Sequence, residues 1–262
     1  MTGTESASQA GMARDVVFLH GFTQAGVVWH SIAAAIARGG HRVTTPNLPG
    51  HGQSAVELDS ADLWRAADSI TAPVPAVYVG YSLGARVALH AALAHPQKVA
   101  GLVLVGGRIG FADPAAAEQR RQADELLARR LENPADKRDF AVVIDEWLAS
   151  PVNERLLPAQ QQRDLRLANR PEGLAASLRH CGTGTQADLR GRLAELAMPV
   201  LVTVGEHDLD AVKADAKELV DRIGPNARFL EVAGAGHSVP FEKPDRFVQI
   251  IREFMGNDLV NL

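Results

Sequence analysis

Ala76-Val77-Tyr78-Val79-Gly80-Tyr81-Ser82-Leu83-Gly84-Ala85-Arg86 decides how the rest of the chain is read. Its first four residues are a continuous apolar run without polar alternation, the pattern of a strand buried on both faces. From Leu83 to Ala94 the sequence turns alanine-rich and helical, with Leu83, Val87, Ala88 and Ala91 set to pack into a sheet. Gly80 to Gly84 is therefore a G-x-S-x-G between strand and helix, a sharp turn that lifts a serine oxygen out of the sheet. Glycine on either side removes side chains that would collide with the neighbouring strand and helix. A helix N-cap serine alone would not require both. Ser82 is read as a nucleophile at a helix N-terminus.

Similar apolar runs lie at Asp15–Leu19, Arg42–Thr44, Val99–Val105, Val200–Val204 and Arg228–Val232, and helix-length segments at Val27–Arg38, Ser60–Ile70, Lys213–Ile223 and Pro244–Met255. The alternation predicts an α/β fold, a mostly parallel sheet with helices on both faces. It breaks at 111–186, where Ala, Arg, Glu, Gln and Leu dominate and Pro114, Pro134, Pro151, Pro158 and Pro171 divide the stretch into several short helices. A helical block between two strands of a parallel sheet is expected as a cap over the carboxyl edge, where open sheets place ligands. The predicted organisation is a flexible tail at 1–13, a core at 14–110 and 187–262, and an inserted helical cap at 111–186.

With 262 residues, 46% of them hydrophobic and 22% charged, the chain can bury a full core and is not predominantly disordered. A net charge of -4 supplies no broad basic field, so neither nucleic acid nor an anionic membrane is an expected partner. No apolar run approaches the roughly 18 residues of a membrane span, and Met1 to Arg14 does not read as a secretory signal. The single cysteine, Cys181, forms no intrachain disulfide and cannot build a thiolate metal site, which points to a reducing cytoplasm. No Gly-rich phosphate fingerprint follows a strand, so no metal or organic cofactor is expected.

A serine hydroxyl needs a base to take its proton and a carboxylate to orient that base. Downstream, Val204-Gly205-Glu206-His207-Asp208 and Gly234-Ala235-Gly236-His237 each follow a strand, on the same rim as Ser82. Asp208 is read as the acid and His237 as the base, with Glu206 and Asp210 as rival carboxylates. The backbone N–H groups of Phe22, after the first strand, and of Leu83 are the candidate oxyanion hole. His20 is expected to shape its loop, and His51 to be a turn residue with a satisfied ring. Arg86 lies one helical turn after Ser82 on a helix that should be buried, where a guanidinium is costly unless it meets an anion. That anion is either a substrate carboxylate or a protein acid.

His20-Gly21-Phe22, Asn47 to Ser54, Gly80 to Gly84, Gly205 to Asp208 and Gly236-His237 together resemble the α/β-hydrolase fold family over nearly the whole chain after the tail. Within it, Val79 to Arg86, Gly173 to Gln186 and Trp147 before a Pro-Val pair are similar to the 2-succinyl-6-hydroxy-2,4-cyclohexadiene-1-carboxylate synthase family of menaquinone biosynthesis. The departures are Asn47 for an aspartate, Ala85 for a glycine, Arg108-Ile109-Gly110 for Ser-Pro-Gly, and Leu148 for an aromatic. They touch the pocket more than the Ser82, Asp208 and His237 set. The resemblance implies a lyase that releases pyruvate from an anionic carboxylate substrate, with Tyr81, Arg120, Trp147 and Arg166 joining Arg86 as substrate contacts. Arg120 and Arg166 also read as ordinary solvated helix arginines. The same three catalytic residues equally suit a carboxylesterase or a carbon–carbon bond hydrolase. A non-catalytic binding module would be expected to lack one of them.

Overall fold

The computed structural model describes residues 13–54, 62–132 and 137–258. The predicted tail lies outside these apart from residue 13. Six strands form a single parallel sheet: β1 (Asp15–Leu19), β2 (Arg42–Thr44), β3 (Ala76–Tyr81), β4 (Val99–Val105), β5 (Val200–Gly205) and β6 (Ala227–Val232), in the order β2-β1-β3-β4-β5-β6. A mostly parallel sheet is expected from the alternation, and among the described strands every pairing is parallel. Parallel neighbours need long crossovers, which are supplied here by α1 (His30–Ala37), α2 (Leu63–Ile70), α3 (Leu83–Ala94) and α9 (Asp210–Ile223), with α11 (Pro244–Glu253) following β6.

Strand side chains sort by parity onto two cores. Val17, Leu19, Tyr78, Leu102, Leu104 and Val202 face α2, α3 and α9, whereas Val16, Phe18, Val77, Val79, Val103 and Val105 face α1 and α11. Covering both faces is why these strands show no polar alternation. The chain steps from β1 outward to β2 and then back across to β3. The carboxyl ends of β1 and β3 thereby flank a switch point, where open α/β sheets hold ligands.

Between β4 and β5 lie α4 (Pro114–Glu132), α5 (Lys137–Leu148), α6 (Pro158–Gln161), α7 (Arg163–Leu167) and α8 (Pro171–Cys181). Ala128, Leu131, Ile144, Leu148, Leu174 and Leu178 form a separate small core among them. Proline opens α4, α6 and α8, where its missing N–H costs nothing. The first two helices are longer than the short segments expected, because the prolines mark helix starts and not regular interruptions. Pro134 lies outside the described residues. Asn169 ties the insertion to the sheet, accepting from Gly52 N at 2.7 Å and donating to Thr23 O at 2.7 Å.

Element ends differ from the sequence reading for local reasons. The predicted helix from Val27 begins as a 3-10 turn at Gly26–Trp29. α2 starts at Leu63 behind an Asp62 N-cap that accepts from Trp64 N and Arg65 N, and the expected start at Ser60 lies outside the described residues. Among the described residues no helix is long and apolar enough to cross a membrane.

Candidate active site

Ser82 joins β3 to α3 with φ 53° and ψ -109°, a left-handed conformation that a non-glycine residue adopts at a cost of about 1–3 kcal/mol. The turn is held by Ser82 N donating to Val105 O at 2.8 Å. A Cβ at Gly80 would overlap the backbone of Gly84 and Ala85, and one at Gly84 would overlap the Leu19 carbonyl. Both flanking glycines are therefore imposed by close backbone approach.

His237 follows β6, and its Nε2 lies 3.1 Å from Ser82 Oγ. Its Nδ1 lies 2.9 Å from Asp208 Oδ1 and 3.1 Å from Oδ2. The Asp208 side chain is fully buried and that of His237 is 7% exposed. Asp208 Oδ1 also accepts from Leu209 N at 2.7 Å, which fixes the carboxylate against its own loop. The rival acids point elsewhere. Glu206 accepts from Gly234 N at 2.8 Å, and Asp210 is exposed beside Lys213 at 3.9 Å.

Phe22 and Leu83 both line the cavity at Ser82, and neither backbone N–H meets a protein acceptor among the described residues. His20 shapes the loop that carries Phe22. Its Nδ1–H donates to Gly21 O at 2.8 Å and its Nε2 accepts from Leu48 N at 3.0 Å. Burial holds the His20 ring well below its ordinary pKa, so it is neutral in this role. His51 departs from expectation. Its Nδ1–H donates to Pro49 O at 3.0 Å and burial lowers its pKa to about 4, but its buried Nε2 has no partner among the described residues.

The cavity has a volume of about 290 Å³ and, among the described residues, is lined by Arg86, Arg108, Arg120 and Arg166 with no aspartate or glutamate. Arg86 is 7% exposed and donates from Nη1 to Cys181 O at 2.6 Å. Burial lowers its pKa to about 10, leaving it charged at neutral pH. No ion pair to a protein acid is formed by Arg86 among the described residues. Arg166 is 1% exposed and so is not a solvated helix arginine. It donates to Gln161 O at 2.8 Å, Phe22 O at 3.3 Å and Thr23 Oγ1, all uncharged acceptors. Burial lowers its pKa to about 10 as well.

Arg120 is half-exposed and its Nε donates to Asp124 Oδ1 at 2.8 Å, so a protein acid partly balances its charge at the cavity wall. Trp147 stands edge-on to Phe22 with ring centroids 5.1 Å apart, and its buried indole N–H has no partner among the described residues. Tyr81 meets the cavity through its ring. Its hydroxyl is taken by Ser238 Oγ at 2.7 Å, and burial raises its pKa to about 12.

Arg108 and Thr183 are among the cavity residues not expected from the sequence. Arg108, read only as a departure from Ser-Pro-Gly, reaches the wall while paired with Asp215. Thr183 contributes a buried hydroxyl with no partner among the described residues, and its only signal was the Gly-Thr-Gly-x-Gln segment. Asn47, another departure, accepts from Gly26 N at 2.7 Å and does not line this cavity.

The sequence profile of the alpha/beta hydrolase fold matches residues 16–244. The chain is 33% identical over 258 residues to the pimeloyl-(acyl-carrier protein) methyl ester esterase of Aeromonas hydrophila, covering 96% of this chain and 99% of the relative. It is 34% identical over 251 residues to the 2-succinyl-6-hydroxy-2,4-cyclohexadiene-1-carboxylate synthase of Salmonella agona, covering 92% and 94%. Among solved structures, MenH from S. aureus superposes with a TM-score of 0.82 at 27% identity over 94% of each chain. A malate-bound thermophilic esterase from Thermogutta terrifontis gives 0.79 at 27% identity, over 95% of this chain and 91% of that one.

Proposed function

The chain belongs to the α/β-hydrolase fold family, and from that premise we propose that it is a carbon–oxygen lyase of menaquinone biosynthesis. Its substrate is 2-succinyl-5-enolpyruvyl-6-hydroxy-3-cyclohexene-1-carboxylate, and its products are pyruvate and the cyclohexadiene named in the synthase relatives. Residues 14–110 and 187–262 act as the core and 111–186 as the cap. The observation that carries this reading is the pair Arg86 and Arg166, both buried at the cavity and neither in an ion pair with a protein carboxylate among the described residues, with Arg86 feeling the charge of Asp124 only from beyond contact. A buried guanidinium without a carboxylate in hydrogen-bond contact is costly, and a substrate bearing three carboxylates supplies that contact through charge-assisted hydrogen bonds.

The ring double bond at C3 of the substrate becomes a 2,4-diene in the product, so a proton leaves C2 and the enolpyruvyl group leaves C5. The C2 proton lies beside the succinyl ketone, which acidifies it. Ser82 and His237 form the proton-abstracting pair, and Asp208 holds His237 in the required orientation. The amides of Phe22 and Leu83 stabilise the negative charge that develops on the ketone oxygen. The electron pair moves through the ring, the C5–O bond breaks, and the departing enolate takes up a proton to give pyruvate. No water is added.

A serine esterase that uses the same residues through an acyl-enzyme is the second reading, supported by the similarity to the methyl ester esterase. Pyruvate release from the enolpyruvyl substrate, set against hydrolysis of a panel of p-nitrophenyl esters, separates the two.

A further inference from the structure

We propose that Glu242 is a positioning residue for His237, an inference that rests on reading His237 as the base but not on the choice between lyase and esterase. His237 is followed by α10 (Val239–Glu242), a single turn whose last residue folds back over the loop. Glu242 Oε2 accepts from Gly236 N at 2.8 Å, and Oε1 accepts from Ser238 N at 3.0 Å. One carboxylate thus bridges the N–H groups of the two residues on either side of His237, Gly236 and Ser238.

The Glu242 side chain is only 7% exposed, and Arg155, 3.8 Å away, is itself 44% exposed. A carboxylate so placed is expensive to desolvate, and the two charge-assisted amide bonds are what hold it there. The segment they hold has reason to need it. Gly234-Ala235-Gly236 leads into His237 through two glycines, one at φ 66°, so the backbone has little intrinsic stiffness. Asp208 and Ser82 occupy the two ring nitrogens and fix the direction of the imidazole, but they do not fix its Cα. Glu242 fixes the main chain, and Tyr81 hydroxyl on Ser238 Oγ at 2.7 Å anchors the next side chain.

The test compares Glu242→Gln and Glu242→Asp with the wild type in the rate at which a fluorophosphonate probe labels Ser82, with Ser82→Ala as the blank. Gln is isosteric but offers one acceptor, and Asp keeps the charge but is too short to bridge both amides. Both variants should label about tenfold more slowly or worse, and turnover of whichever substrate the wild type accepts should lose kcat with KM within about twofold. Labelling is normalised to the folded fraction measured by circular dichroism. Wild-type labelling in either variant, including a wild-type rate in the folded remainder of a destabilised one, overturns the assignment of Glu242 alone. A wild-type protein that the probe does not label overturns the role of His237 and this inference with it.

Discussion

His237 Nε2 stands 3.1 Å from Ser82 Oγ although 155 residues separate them in the chain. The parallel sheet closes that distance: Ser82 leaves the carboxyl end of β3, His237 follows β6, and all six strands point the same way. Asp208 follows β5 and reaches the far side of the imidazole. The insertion between β4 and β5 then supplies Trp147, Arg120 and Arg166 to the cavity over these groups.

Replacing Ser82 by alanine removes one oxygen from a part-exposed turn and leaves the cores untouched. Turnover should fall by about a thousandfold or more, with Tm within a few degrees of wild type. Thermal denaturation beside steady-state kinetics checks both halves of the expectation.

Asp208→Asn should lower kcat by about 10³- to 10⁴-fold, because an amide no longer selects the imidazole tautomer that faces Ser82. Glu206→Gln and Asp210→Asn should stay within about twofold, since both side chains are on the surface and neither touches His237. A large loss in either of those variants, with Asp208→Asn active, would reassign the acid.

Arg86→Met keeps the buried stem and removes the charge. For the anionic cyclohexene substrate the loss in kcat/KM should correspond to about 2–5 kcal/mol, and neutral ester turnover should barely change. Equal losses on both substrates, measured side by side, would make Arg86 a structural residue bound to Cys181 O.

α4 and α8 are joined by Arg179, which donates to Glu125 at 2.6 Å and to Glu132 at 2.8 Å. The Arg179 hydrogen bond, with help from Arg129, lowers the Glu125 pKa to about 2. A carboxylate with a depressed folded pKa contributes stability above its unfolded value, and that contribution is lost as pH falls through the folded one. The Tm difference between wild type and Arg179→Ala should be small, constant above about pH 5, and shrink as pH falls from about 4.5 toward 2. A difference that grows with acidification would contradict the pairing.

The parts legible in the sequence are those whose cause is local. The strand, sharp turn and helix around Ser82 show in consecutive residues, because both glycines answer to backbone contacts made by the turn itself. Asp208 and His237 could be proposed because loops after the strands of a parallel sheet must share a rim. Arg108, Thr183 and Glu242 could not, since each acquires its role from packing between distant segments. Arg108 reaches the cavity wall while paired with Asp215 on α9, and Thr183 reaches it from the end of α8. Glu242 matters only because α10 folds back onto Gly236 and Ser238. The hydrogen bond of the Tyr81 hydroxyl was not legible for the same reason, as its partner Ser238 is far away in sequence.

The most direct measurement gives the pure protein the enolpyruvyl cyclohexene substrate and follows pyruvate with a coupled dehydrogenase, while parallel reactions follow hydrolysis of p-nitrophenyl and carrier-bound methyl esters. The lyase reading predicts pyruvate release with kcat/KM at or above about 10⁴ M⁻¹ s⁻¹, abolished in Ser82→Ala, and only weak ester hydrolysis. Rapid ester hydrolysis without pyruvate release would contradict it and assign the same three residues to an esterase.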